Sequence, residues 1–146
     1  MDENIRRQII IENYNNPFNK KELSKEEQEK YIKINTNNES CIDDLDIFFK
    51  IENEKIKDVA FAGEACAIST SATSIILKSI LDKDKEEIKK ILENYQNMIN
   101  EKPYDEELLK ELNVYNTIYL QPNRKNCALL PSKAIERLIE KLENDN

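Results

Sequence analysis

Residues 61–74 read FAGEACAISTSATS and contain the only glycine of the 146-residue chain. Glycine tolerates a positive φ or a sharp turn, so we expect a strand to end near Gly63 and a helix to begin soon afterwards. Cys66 lies at this predicted junction. The helix is indicated by a single apolar face at helical spacing, with hydroxyl residues on its other sides. The apolar face consists of Ile68, Ala72, Ile75, Ile76 and Ile80.

The sequence before Gly63 has the pattern of a β-hairpin. Residues 45–51 and 55–62 are rich in β-branched and aromatic side chains and are joined by three polar residues at 52–54. A shorter alternating run at 31–35 predicts an edge strand. Together these runs predict a small three-stranded antiparallel sheet.

The remaining periodic segments predict helices packed on that sheet. Apolar residues recur at helical spacing in residues 1–15, 84–99, 105–112 and 131–144. The last of these would begin with Pro131 in its first turn. Residues 19–31 are polar and predict a loop or an exposed turn. We therefore expect an α+β fold in which residues 1–146 form a single domain.

Composition excludes several classes of function. The net charge is −7 and no basic stripe is visible, so nucleic acid is a poor partner. Neither a membrane-spanning helix nor a signal peptide is apparent, which predicts a cytoplasmic protein with no membrane partner. The chain has no histidine, which removes Ser-His-Asp triads, Cys-His dyads and all histidine-containing metal sites.

The three cysteines are the strongest candidates for chemistry. Cys41 precedes the hairpin, Cys66 stands at the strand-to-helix junction, and Cys127 precedes the predicted last helix. Helix N-termini stabilise anions, so we expect lowered thiol pKa values for Cys66 and Cys127. Asp43 points the same way as Cys41 if the segment is extended. Three thiolates and a carboxylate suit tetrahedral zinc or a two-iron cluster, and scattered buried thiols are the alternative.

Four motifs in order resemble the SufU-type proteins of the IscU/NifU iron-sulfur cluster assembly family. GEACAISTSATSII resembles the family's GxxCxIS-x-ASAS segment, and CID at 41–43 resembles its first Cys-x-Asp. IIIENYNNPFNK resembles the N-terminal helix and turn of the family. NRKNCALLPSKAIERLI resembles its terminal Arg-x-x-Cys-Ala motif. The resemblance covers nearly the whole chain and implies a SufU/IscU-like fold.

The resemblance also implies roles for individual residues. Cys41, Asp43, Cys66 and Cys127 take the positions of the metal ligands, and Cys41 takes that of the sulfur acceptor. Arg124 takes the position of an arginine that pairs with the ligand aspartate. The implied cofactor is Zn²⁺, with a [2Fe-2S] cluster as the alternative. The implied partners are a SufS-like cysteine desulfurase and other iron-sulfur assembly proteins.

Two branches of the family make different predictions. Scaffold-type members carry a histidine immediately before the last cysteine, whereas this chain has Asn126. SufU-type members carry an insertion before that cysteine, and residues 100–122 are long enough to be it. We therefore expect a zinc-dependent sulfurtransferase that accepts persulfide sulfur. A scaffold for a labile [2Fe-2S] cluster and a purely structural zinc module are the alternatives. Ile42 replaces the family's glycine between the first Cys and Asp.

Overall fold

The predicted hairpin supplies two strands of a three-stranded antiparallel sheet in the computed structural model, which describes residues 1–38 and 42–144. The strands β1 (Ile32–Asn37), β2 (Asp44–Glu52) and β3 (Lys55–Glu64) lie in sequence order, with β2 in the middle. Asn53 and Glu54 make the tight turn between β2 and β3, both with positive φ. The predicted α+β fold with a small antiparallel sheet is confirmed.

Helices follow and precede the sheet along the chain. Two short 3-10 helices, Lys110–Tyr115 and Ile118–Leu120, separate the last two α-helices. The α-helices are α1 (Glu3–Asn15), α2 (Lys25–Gln28), α3 (Ala67–Ile80), α4 (Lys85–Ile99), α5 (Glu106–Leu109) and α6 (Pro122–Asn144). None of the helices in residues 1–38 and 42–144 is long and apolar enough to cross a membrane. The assignment of residues 1–146 to a single domain stays a prediction.

The two faces of the sheet are covered differently. Alternate residues of β2 and β3, such as Ile47 and Phe61, point into the main core, to which α3, α4 and α6 also contribute. The opposite face carries a smaller cluster of Leu23, Phe48 and Ala60. The segment at 19–31 is therefore not a simple exposed loop, because it contains α2 and covers this second face with Leu23.

The helix α3 is buried on nearly all sides, which differs from the prediction of a single apolar face. Its hydroxyl residues are as inaccessible as its isoleucines, because α1 and α6 pack against α3. Short hydroxyl side chains tolerate this burial when each finds a nearby acceptor or donor. Ser71 pairs with the Tyr115 hydroxyl at 2.6 Å, and Ser74 donates to Asn13 Oδ1 at 2.8 Å. The helix therefore packs closely against its neighbours on nearly every side, with Lys78 left exposed.

The helix α6 begins nine residues earlier than predicted. Its first residue is Pro122 rather than Pro131, and Pro131 lies inside the helix. Proline suits either the first turn or, at a cost, the interior, where it removes the hydrogen bond to the carbonyl four residues earlier. The last helix does begin with a proline, as predicted, but this proline is Pro122 and not Pro131. As a consequence Cys127 lies within α6 and not before it.

Candidate metal centre

Asp43 is a buried carboxylate at the start of the site. It immediately precedes β2 and is only 1% exposed. Its Oδ1 accepts the backbone N–H of Cys66 at 2.7 Å, and its Oδ2 accepts the Ser69 hydroxyl at 2.6 Å. A buried carboxylate requires such donors or a cation, because desolvation of an isolated charge is costly. In the described part of the chain no lysine or arginine forms an ion pair with Asp43.

Gly63 allows the two strands to meet close to Asp43. It pairs with Leu45 across β2 and β3 and has φ +119°, a conformation that side-chain-bearing residues rarely adopt. A Cβ at this position would lie 2.3 Å from the backbone oxygen of Asp44. The sequence predicted a positive φ or a sharp turn near Gly63, and the structure has a positive φ there. The residue lies within the last part of β3, and the helix follows after Cys66.

Cys66 is the N-cap residue of α3, as the sequence predicted. Its Sγ accepts the backbone N–H of Ser69 at 3.4 Å and lies 3.9 Å from Asp43 Oδ2. The half-buried thiol therefore faces both the free N–H groups at the helix start and the carboxylate. From this position the Cys66 Sγ and the Asp43 carboxylate can reach the same cation.

Cys127 reaches the same place from α6. The residue is 4% exposed, and burial together with the neighbouring Cys66 thiol raises the pKa of Cys127 from an ordinary value of 9.0 to about 12. This shift is opposite to the predicted lowering. The physical reason is that Cys127 lies inside the helix among buried residues, and so has no exposed helix N-terminus to stabilise its thiolate.

The three donor groups converge closely enough for one metal ion. A carboxylate oxygen of Asp43 and the Sγ atoms of Cys66 and Cys127 all lie within 4.8 Å of one another. Two sulfur donors and one carboxylate, buried without a basic partner in the described residues, suit Zn²⁺ and also suit iron in a cluster. Cys41, the predicted fourth ligand and sulfur acceptor, lies outside the described residues. The four-ligand set therefore stays a prediction.

Arg124 does not contact Asp43 in this structure. It lies in the first turns of α6 and is exposed, and within residues 1–38 and 42–144 it forms no ion pair. The carboxylate is held by Cys66 and Ser69 instead. The predicted pairing of Arg124 with Asp43 stays a prediction.

Ser69 is the site residue that the sequence did not single out. Its side chain is fully buried, and its hydroxyl contacts Asp43 Oδ2 at 2.6 Å, Cys66 Sγ at 3.5 Å and the Cys127 carbonyl at 3.1 Å. The spacing Cys66-x-x-Ser69 was an available signal, since a residue three positions after an N-cap faces back toward it.

Comparison with known proteins places the chain among iron-sulfur assembly proteins. The sequence profile of the NifU-like N-terminal domain matches residues 5–146. The chain is 30% identical over 141 residues to the zinc-dependent sulfurtransferase SufU of Bacillus subtilis, covering 96% of this chain and 92% of that protein. It is also 30% identical over 105 residues to the iron-sulfur cluster assembly scaffold protein IscU of Thermotoga maritima, covering 72% and 74%.

A solved structure supports the same assignment. The crystal structure of FiSufU from Fervidobacterium islandicum AW-1, described as an iron-sulfur cluster assembly scaffold protein for the SUF system, superposes with a TM-score of 0.75 at 30% identity. The superposition covers 88% of this chain and 92% of that one. The profile match, the two relatives and the shared fold confirm the predicted resemblance to the IscU/NifU family. The chain therefore belongs to the NifU-like N-terminal domain family, the IscU/NifU proteins of iron-sulfur cluster assembly.

Proposed function

We propose that this protein is a zinc-dependent sulfurtransferase that accepts persulfide sulfur from a SufS-like cysteine desulfurase. The observation that carries the proposal is the convergence of Asp43, Cys66 and Cys127 within 4.8 Å from three distant parts of the chain. The similarity to Bacillus subtilis SufU extends over nearly the whole chain, whereas the similarity to Thermotoga maritima IscU covers a smaller share. A cytoplasmic location stays a prediction.

The proposed function requires a metal site from which one ligand can leave while the others remain bound. Two thiols and a carboxylate would hold Zn²⁺ together with Cys41, and the bound ion would keep the thiols deprotonated at neutral pH. Asp43 and Cys66 would remain in place through the hydrogen bonds from the Cys66 backbone to Asp43 and from the Ser69 backbone to the Cys66 sulfur. Cys41 is therefore the ligand proposed to leave when the desulfurase docks.

The chemical step is an exchange at sulfur. The Cys41 thiolate attacks the outer sulfur of the desulfurase persulfide and forms a new S–S bond. The bond between that outer sulfur and the desulfurase cysteine breaks, and this cysteine leaves as a thiolate. The proton on the transferred sulfur moves with it. One S–S bond replaces another, so no external oxidant or reductant is consumed. Arg124 is proposed to pair with Asp43 once the site is loaded and Cys41 is released.

A scaffold for a [2Fe-2S] cluster is the second candidate. It is favoured by the same donor set and by the relatives named as scaffold proteins. Asn126 in the position where scaffold-type members carry histidine speaks against it. Residues 100–122, which we expect to be the insertion of SufU-type members, contain α5 and two 3-10 helices.

Alanine release by a SufS-like desulfurase tests the first candidate. With cysteine and reductant present, a catalytic amount of the zinc-loaded protein should accelerate alanine release over many turnovers. Cys41→Ala should abolish the acceleration, and Ser71→Ala, whose hydroxyl contacts Tyr115, should retain it. If the wild type gives no acceleration, the sulfurtransferase proposal fails. Anaerobic loading with iron and sulfide, followed by absorption spectroscopy, then tests the scaffold.

A further inference from the structure

The hydroxyl of Ser69 lies between the two sides of the candidate metal centre. It donates to Asp43 Oδ2 at 2.6 Å, and the carbonyl oxygen of Cys127 lies 3.1 Å away. A hydroxyl has one proton, and the shorter contact to the anionic acceptor holds it. The Cys127 carbonyl is then a second acceptor for the same proton. Ser69 therefore contacts groups that arrive from β2 and from α6.

Pro131 explains why the Cys127 carbonyl is available. In a regular helix this carbonyl would accept the N–H of the residue four positions later. That residue is Pro131, which has no N–H. A buried carbonyl without a donor is costly, and the Ser69 hydroxyl is the described side-chain donor that approaches it. The interior proline and the buried serine are thus complementary.

We propose that Ser69 is the positioning residue of this centre. Its hydroxyl holds the Asp43 carboxylate toward Cys66, and through the carbonyl that Pro131 leaves free it links that carboxylate to the helix that carries Cys127. The inference rests on the proposed binding of zinc at this site, but not on sulfur transfer. Ser69 is proposed here as a positioning residue and not as a ligand.

Zinc affinity tests the link to Asp43. Dissociation constants from chelator competition are compared for the full-length wild type, Ser69→Ala, Asp43→Ala and the double variant. Groups that orient metal ligands typically change affinity by about 10–100-fold, so Ser69→Ala should weaken zinc binding at least about tenfold. In the Asp43→Ala background the same change should have little further effect, because the partner is gone.

Ser71→Ala is the matched control, since it removes a buried hydroxyl of α3 that bonds Tyr115 and not the site. It should retain the affinity of the wild type. Equal affinity of Ser69→Ala and wild type overturns the inference, as does an equal loss with and without Asp43. If the wild type itself binds no zinc, the proposed function fails and the inference fails with it. Zinc binding that is insensitive to Ser69 overturns the inference alone.

Thermal unfolding of the metal-free protein tests the link to α6. Pro131→Ala supplies the missing N–H to the Cys127 carbonyl. The fall in Tm caused by Ser69→Ala should therefore be smaller in the Pro131→Ala background than in the wild type. An equal fall in both backgrounds overturns the proposed bridge.

The wild-type protein decides the matter if Ser69→Ala does not fold. NMR of the zinc-loaded protein should show a slowly exchanging Ser69 hydroxyl proton, since the side chain is fully buried and the proton is held by Asp43. A nuclear Overhauser effect from this proton to the Cys66 amide proton is expected, because both donate to the same carboxylate. A hydroxyl proton that exchanges with solvent at once overturns the inference.

Discussion

The two sides of the candidate metal centre are held by different forces. On the strand side, Asp43 and Cys66 are fixed by strand register and by hydrogen bonds of 2.6–2.7 Å to the Asp43 carboxylate. On the helix side, Cys127 is placed by burial of α6, and its carbonyl contacts Ser69 at 3.1 Å. The strand side therefore has a defined geometry before metal arrives. On the helix side, the thiol of Cys127 is protonated and must lose its proton to bind a metal ion.

Removing a donor from either side tests whether both sides hold the metal. Cys66→Ala and Cys127→Ala should each weaken zinc binding by more than about a hundredfold, since even residues behind the ligands change affinity by 10–100-fold. Chelator competition measures the loss. A loss below tenfold in either variant would show that this side is not part of the centre.

In the metal-free protein, each of these two variants should lower the free energy of unfolding only slightly relative to the wild type. Cys66→Ala removes the N-cap of α3 and Cys127→Ala removes a buried sulfur, and each change costs about 1 kcal/mol. Urea unfolding after metal removal measures this cost. The large effect on zinc and the small effect on folding would together identify both residues as ligands.

Substitution of Gly63 tests whether the strand side tolerates a side chain where the two strands approach closely at Asp44. Gly63→Ala should lower the free energy of unfolding by at least about 2 kcal/mol, because of the positive φ and because the new Cβ would meet the Asp44 oxygen. Ala62→Gly is the neighbouring control and should cost about 0.5–1 kcal/mol through backbone entropy alone. Urea midpoints that are equal for the two variants would contradict the close approach at Asp44.

The sequence predicted the strand side well because its signals are local. Gly63, the N-cap position of Cys66 and the alternation of β2 and β3 all depend on neighbours along the chain. The helix side was predicted less well, because Pro131 is a start signal by local rules and an interior residue in the fold. The acceptor it leaves free is met by Ser69 from another helix, and such tertiary compensation has no signature in a single segment.

The raised pKa of Cys127 tests the helix side by its pH dependence. Its folded pKa of about 12 lies above the ordinary 9.0, so the metal-free protein keeps this proton at neutral pH. Zinc must displace it, and zinc affinity should rise by up to about tenfold per pH unit for each proton released. For the folding stability of the metal-free protein, the pH dependence has the opposite sign. The stability contributed by this group is present below pH 9 and is lost as the pH rises toward 12.

Isothermal titration in buffers of different ionisation enthalpy counts the protons released between pH 6.5 and 8.5. Cys127→Ala should release fewer protons than the wild type. An equal count in the two proteins would contradict the release of a proton from Cys127 when zinc binds.

Arg124 gives the smallest expected effect on the isolated protein. Because it is exposed and makes no ion pair in the described part of the chain, Arg124→Ala should change the free energy of unfolding by less than about 0.5 kcal/mol. Arg137→Ala, an exposed arginine further along α6, is the matched control. If Arg124 pairs with Asp43 during sulfur transfer, only Arg124→Ala should slow desulfurase stimulation, by about tenfold. Equal stimulation by both variants would leave Asp43 held by Cys66 and Ser69 alone. The strand side would then need only Cys127 from α6, through its sulfur and through the carbonyl that Ser69 contacts.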